Sequence, residues 1–413
     1  MSQKPQLPLD PARIRAAFPA FAEPGLKDQA FFENAGGSYI SRHALERLDT
    51  YLTQNRLQPY GHFAASRTAG EAMDLAYERI AAALNVSPEW IVFGPSSSAN
   101  TYTLGHAFAG WLKSGDAIIV TNQDHEANTG SWRKLAANGI EVREWTVDSQ
   151  TGRLALSDLE ALLDDKVRLV AVPHCSNIVG EINPVADIAR LAHAAGAVVV
   201  VDGVSYAPHG LPDLEELGVD AWFFSTYKVY GPHQGVLAIR PELAAQLPNQ
   251  GHFFNDAKPR YRLSPAGPDH AQIAATAGIA DYLEYVAEIA GTSAEGDTPF
   301  KRAHAAMRAQ ETALLAPLLD YLRQRNDLRL IGPATLENRA PTIALATTEP
   351  GAVVARRLAE RGIMAGGGHF YAWRLLEALG IAPEHGVLRL SFVHYTTPEE
   401  IDRLIEALEH ELR

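Results

Sequence analysis

Four residues of unlike chemistry follow apolar runs in the middle of this chain: His125 in DHEAN, Asn177 in HCSNIVG, Asp202 in VVVVDG and Lys228 in FFSTYKVYGP. A lysine between an apolar run and a Gly-Pro turn either caps a strand in solvent or supplies an amine that forms a Schiff base with a carbonyl. Alone, Asp202 reads as a turn residue and His125 as a solvated loop histidine. Jointly they suit pyridoxal phosphate (PLP). That group needs a lysine for its carbonyl, and a carboxylate to keep its ring nitrogen protonated so that the ring withdraws electrons. Its ring face takes a flat partner such as His125. Its phosphate takes backbone amides at a helix N-terminus and small hydroxyls. FGPSSSANTYTLGHAF offers these, with Ser96, Ser97 and Ser98 opening a helix after a short apolar run.

The elements that must position these groups are legible from about residue 115. The runs AIIVT (117–121), VREWTV (142–147), VRLVAVPH (167–174), AVVVVDG (197–203), AWFFST (221–226) and GVLAIR (235–240) alternate with helical patterns such as PVADIARLAHAAG. Strands alternating with helices predict crossover units and a mostly parallel sheet covered on both faces. Ligands of such sheets bind at the carboxyl ends of the strands. After about residue 265 the pattern changes to long helices, a polar TSAEGDTP linker, strand-like LRLIG, TIALATT and GVLRLSF, and a closing helix. This predicts a large α/β domain over 26–297 and a small α+β domain made of 1–25 with 298–413.

Hydrophobic residues at 46% and charged residues at 21% describe an ordinary globular chain of 413 residues, and a net charge of −13 argues against nucleic acid as a partner. The single cysteine, Cys175, excludes an intrachain disulfide and a cysteine-based zinc site; no metal is expected. The N-terminus lacks an apolar core of signal-peptide length and no run approaches a membrane span, so a cytoplasmic location is the expectation.

DHEAN, HCSNIVGEINPV, VDGVSYAPH and FFSTYKVYGP, in this order and spacing, resemble the class V aminotransferase family and, within it, the cysteine desulfurase-like branch. The resemblance runs from FFENAGGSY to LRLSFVHYTTPEEID. It implies the α/β fold type I of PLP-dependent transferases, with a mostly parallel seven-stranded sheet in the large domain. It further implies that Lys228 carries the cofactor as a Schiff base, Asp202 pairs with the ring nitrogen, His125 stacks on the ring and Asn177 sits beside the cofactor hydroxyl. Ser97, Ser98 and Ser225 fall at phosphate positions, the first two where threonines are common. Ser205 stands where relatives often have glutamine, and Tyr227 where a phosphate-binding histidine is frequent. Arg389 matches the arginine that holds the substrate carboxylate, and Asn34 lies in the segment that lines the substrate pocket. A homodimer with the active site at the interface is implied, with Arg262, Gly267 and His270 as candidates to reach the neighbour's phosphate and His62 and Arg67 near interface contacts.

Desulfurases of this branch carry a cysteine on a mobile loop of the small domain. The matching loop here is GIMAGGGHFYAW, where Tyr371 aligns with that cysteine and Gly366 replaces a second arginine. His369 and Tyr371 are then candidates for proton transfer or for shaping the pocket, or are a loop histidine and a packing tyrosine. Cys175, beside a strand, reads as inert packing. The expected activity is PLP-dependent chemistry on an amino acid without a persulfide cysteine: β-elimination or related C–S or C–C lyase chemistry, with aminotransfer to a keto acid as the alternative. An epimerase or a decarboxylative carbon-bond-forming enzyme also remains open.

Overall fold

The structure is a computed structural model that describes residues 7–291 and 297–412. Seven strands form its main sheet: β1 (Ile91–Gly94), β2 (Ala117–Thr121), β3 (Glu141–Trp145), β4 (Val167–Pro173), β5 (Val198–Asp202), β6 (Ala221–Ser225) and β7 (Gly235–Ile239). Their spatial order is β1-β7-β6-β5-β4-β2-β3, and β7 alone runs antiparallel to its neighbours. Helices cover both faces, so every residue of β2, β6 and β7 is buried. That double burial is why these strands read as unbroken apolar runs rather than alternating ones. The edge strand β3 is instead only partly buried, with Glu141 and Glu144 exposed and Trp145 buried.

From β2 the chain steps outward to β3, then returns past β2 to β4, β5 and β6. The direction of winding therefore reverses between β2 and β4, and a crevice opens at their carboxyl ends. The sequence places His125 and Asn177 just beyond those two ends, with Asp202 ending β5 and Lys228 just beyond β6.

A second, antiparallel sheet has the order β10-β11-β9-β8, from β8 (Arg329–Ile331), β9 (Thr342–Ala346), β10 (Gly366–Gly368) and β11 (Val387–Ser391). The triple glycine, expected within the loop GIMAGGGHFYAW, is thus an edge strand. Glycine is a poor strand former, and here pairing with β11 overrides that propensity. Gly366 lies directly across from Arg389.

Leu9, Ile14 and Phe18 join the cluster around the seven-stranded sheet, with Phe18 edge-on to Tyr230, Tyr282 and Tyr395. Ala30 and Phe32, expected in the large domain, join the cluster under the second sheet, and Ala30–Phe31 pairs with Ile363–Met364. Of the expected linker, residues 292–296 lie outside the described residues. Among the described residues, no helix is long and apolar enough to cross a membrane, and no group of three His, Cys, Asp or Glu could hold a metal ion.

Candidate active site

All nine residues expected around the cofactor line one cleft: Ser97, Ser98, His125, Asn177, Asp202, Ser205, Ser225, Tyr227 and Lys228. Each is delivered by a strand end. Asp202 is the last residue of β5, and its Oδ1 accepts from the Val204 amide at 2.8 Å. Lys228 closes a single turn after β6, with its carbonyl accepting from the Ser38 hydroxyl at 2.7 Å. His125 caps helix Glu126–Arg133, its Nδ1 accepting from the Ala127 amide at 3.1 Å.

Ser97 and Ser98 are the first residues of helix Ser97–Trp111, capped by Ser96. The Ser97 and Ser225 hydroxyls meet at 2.7 Å, which joins the helix start to the end of β6. Only glycine permits this approach at residue 235, because a Cβ there would lie 2.3 Å from the Ser96 carbonyl carbon. The result is a helix N-terminus and two hydroxyls facing one point, a donor set suited to a phosphate.

Burial sets the charge states. It pushes Asp202 up to about 6, against the Val204 amide and Lys228. It pulls the Lys228 amine down to about 8, helped by Arg389 and opposed by Asp202 and Glu33. His125 falls to about 3 through burial and the Lys228 and Arg389 charges, so its ring is a neutral flat surface. Asp124 is held well above the usual carboxylate range by burial and then by Asp202, and its oxygens accept from Thr121 and Asn128.

Arg389 lies on β11 beside Asn177, a residue of the cleft lining. Its Nη2 donates to Glu33 Oε1 at 2.6 Å, its guanidinium lies 3.7 Å from the centre of the Phe370 ring, and its Nη1 approaches the Asn177 carbonyl at 3.4 Å. The segment after β10 closes over the other side. Asn177 Nδ2 donates to the Phe370 carbonyl at 3.0 Å and the Glu126 amide donates to the Tyr371 carbonyl at 2.8 Å. Phe370 and Tyr371 both take left-handed backbone angles, φ 48° and 59°, which are rare for aromatic residues.

The remaining expected residues sit at the margin. The Tyr371 ring is 67% exposed, centred 5.1 Å from His125. His369 lies outside the cleft lining; its Nδ1 accepts from the Tyr371 amide and its ring meets Trp373. Asn34 faces a small neighbouring cavity with Ser205 and Lys228, and its Oδ1 accepts from the Tyr395 hydroxyl. Arg262 binds inward, to Asp256 and the Ala244 and Leu247 carbonyls. Arg67 donates to the His62 carbonyl. Sequence reasoning missed Glu33, Asp124, Phe370 and His233, whose ring stacks on Tyr227 at 4.7 Å. Asp124 had one available signal, its place beside His125.

The sequence model of the aminotransferase class-V family matches residues 30–404. The chain belongs to the class V aminotransferase family. An aminotransferase-like protein, FGM3, from Gibberella zeae is 35% identical over 409 residues, covering 96% of this chain and 97% of that one. A cysteine desulfurase of Pectobacterium carotovorum subsp. carotovorum is 31% identical over 423 residues, with 96% and 97% covered. The apo structure of a cysteine desulfurase from Thermococcus onnurineus NA1 superposes with a TM-score of 0.84 at 24% identity, covering 97% of this chain and 98% of that one, a likeness in fold. As a class V, cysteine desulfurase-like member, the chain is a PLP-dependent enzyme.

Proposed function

We propose that this class V enzyme acts on an α-amino acid by β-elimination or related lyase chemistry, using the cleft at the ends of β2, β4, β5 and β6. The observation that carries the reading is the lining of that cleft: a buried lysine amine pulled down to about 8, together with a buried carboxylate and a neutral imidazole. The cleft fits the cofactor by its own chemistry. Asn177 Oδ1 is buried without a hydrogen-bond partner, and the Ser97–Ser225 pair lies at a helix N-terminus.

In this reading, Lys228 holds the cofactor and then moves the proton at the substrate's α-carbon. Asp202 holds a proton on the ring nitrogen, and His125 covers the ring face. Asn177 binds beside the ring, Ser97, Ser98 and Ser225 bind the phosphate, and Ser205 and Tyr227 flank it. Bound there, PLP supplies an electron sink for charge developing on the α-carbon. Arg389 holds the α-carboxylate and thereby fixes which bond stands across the ring. The segment carrying His369, Phe370 and Tyr371 shields the cleft from water, with Asn34 in the small neighbouring cavity that shares Ser205 and Lys228.

Sulfur transfer through an enzyme persulfide is disfavoured by the single cysteine. Cys175 is buried, and burial pushes its thiol up to about 12, far from the reactive thiolate that attack requires. Aminotransfer is the second reading, favoured by the 35% identity to an aminotransferase-like protein. The two-domain division, a homodimer and a cytoplasmic location belong to the same proposal. Exposed Phe253, Phe254 and Phe63 support a covered surface.

The test mixes the purified holoenzyme with a panel of amino acids without a keto acid, and follows cofactor absorbance and released products together. Repeated release of pyruvate, sulfide or another fragment with the starting spectrum restored supports the lyase. One equivalent of keto acid with the cofactor left as pyridoxamine phosphate makes it an aminotransferase.

A further inference from the structure

The seat proposed for a substrate carboxylate already contains a carboxylate. Glu33 lies beside the segment 34–37 and is held to the second sheet by a parallel bridge to Ser391. Its Oε1 accepts from Arg389 Nη2 at 2.6 Å, and its Oε2 is buried with no partner. The fold makes room for it. Gly366 stands across from Arg389 in the sheet, and a Cβ there would lie 2.5 Å from Glu33 Oε2. A Cβ at Gly36 would lie 2.9 Å from Oε1. Two side-chain-free positions thus frame one carboxylate.

The pairing leaves Arg389 with donors to spare. Nε is buried and unpartnered, and the Nη1 contact to the Asn177 carbonyl is long at 3.4 Å. A guanidinium has five N–H groups, so a ligand carboxylate can bind while Glu33 remains. What Glu33 removes is the net charge of the seat. Lys228 is the other cation near it, and Asp202 stands opposite that amine.

We propose that Glu33 is a specificity-determining residue: it neutralises Arg389 without filling it, so the site admits amino acids with one carboxylate and excludes those with a second acidic group. This rests on the reading of Arg389 as the carboxylate seat. A short dicarboxylic acid held at Arg389 carries its second charge only a few ångströms from Glu33. Repulsion there, at the effective dielectric of a partly buried site, is worth on the order of tenfold or more in affinity.

The test uses the holoenzyme and two unreactive probes, propionate and succinate, with dissociation constants read from the change in cofactor absorbance. Wild type is expected to bind succinate at least tenfold more weakly than propionate. Glu33→Gln should close that gap about tenfold, chiefly by tightening succinate, whereas Glu33→Asp should keep it. Gly366→Ala, which crowds Oε2 without touching the charge of Arg389, should reproduce part of the change. An unchanged gap in Glu33→Gln overturns the proposal, as does an equal gain for both probes, which would make Glu33 a simple competitor. Arg389→Gln separates the two readings. If it binds propionate as wild type does, the seat itself is misassigned; if it loses propionate while Glu33→Gln changes nothing, only Glu33 is.

Discussion

Lys228 keeps its amine where burial, and then the Arg389 charge, pull it from 10.5 down to about 8. The folded chain therefore binds fewer protons than the unfolded chain between pH 8 and 10.5. Stability of the cofactor-free protein should rise with pH through that window, and the cost is fully present below it. A displacement of that size costs about 3 kcal/mol at neutral pH. Methionine has similar length and no charge, so cofactor-free Lys228→Met should resist urea better than cofactor-free wild type at pH 7, by up to about 3 kcal/mol. Asp202 loses its opposing cation in the variant, which returns part of the gain. The difference should shrink toward zero as pH approaches 10.5. Urea midpoints of the two proteins at pH 7, 8.5 and 10 measure this. Equal midpoints at pH 7, or a gain that does not shrink with pH, would refute the claim that a buried charged amine sets the cost. The same displacement leaves roughly a tenth of the amine neutral at pH 7, against about 0.03% for an ordinary lysine. The burial that costs stability is thus also what frees the amine for the role proposed for Lys228.

Asp202→Asn should lower turnover by about a hundredfold or more while cofactor still binds, because the ring nitrogen loses its proton partner; steady-state rates with retained cofactor absorbance check this. Ser97→Ala and Ser225→Ala should each weaken PLP affinity about tenfold, with pyridoxal lacking the phosphate unaffected, as measured by fluorescence titration. Cys175→Ala should retain full turnover, since the thiol is buried and protonated; a hundredfold loss would restore a sulfur role. Tyr371→Gly should relieve left-handed strain at φ 59° and loosen the segment over the cleft, read as faster quenching of cofactor fluorescence by a small solute.

Lys228, Asp202, His125 and Asn177 were legible because each follows a doubly buried strand, and such strands announce themselves as apolar runs. A local rule, ligands at strand ends, was enough to bring them to one cleft. Glu33 was not legible because its partner is 356 residues away, and no local pattern encodes the register that sets Gly366 opposite Arg389. The 366–368 strand was hidden for a related reason: its conformation comes from the pairing with Val387–Ser391, not from glycine itself. His369 was chosen for its chemistry alone, and the neighbouring backbone turns it toward Trp373.

Phe370 and Tyr371 hold two adjacent left-handed residues, each at a cost of order 1 kcal/mol. Their carbonyls are tied down by one bond from Asn177 and one from the Glu126 amide. The segment thus combines a locally unfavourable backbone with two hydrogen bonds to the elements that carry Asn177 and His125. One of those bonds comes from the side chain that also faces the cofactor's place. Any ligand that draws the Asn177 Nδ2 toward itself would release one of these two hydrogen bonds, leaving the Phe370 ring on Arg389 and the Tyr371 ring beside His125. The floor of the cleft and the segment over it thus share one side chain, Asn177.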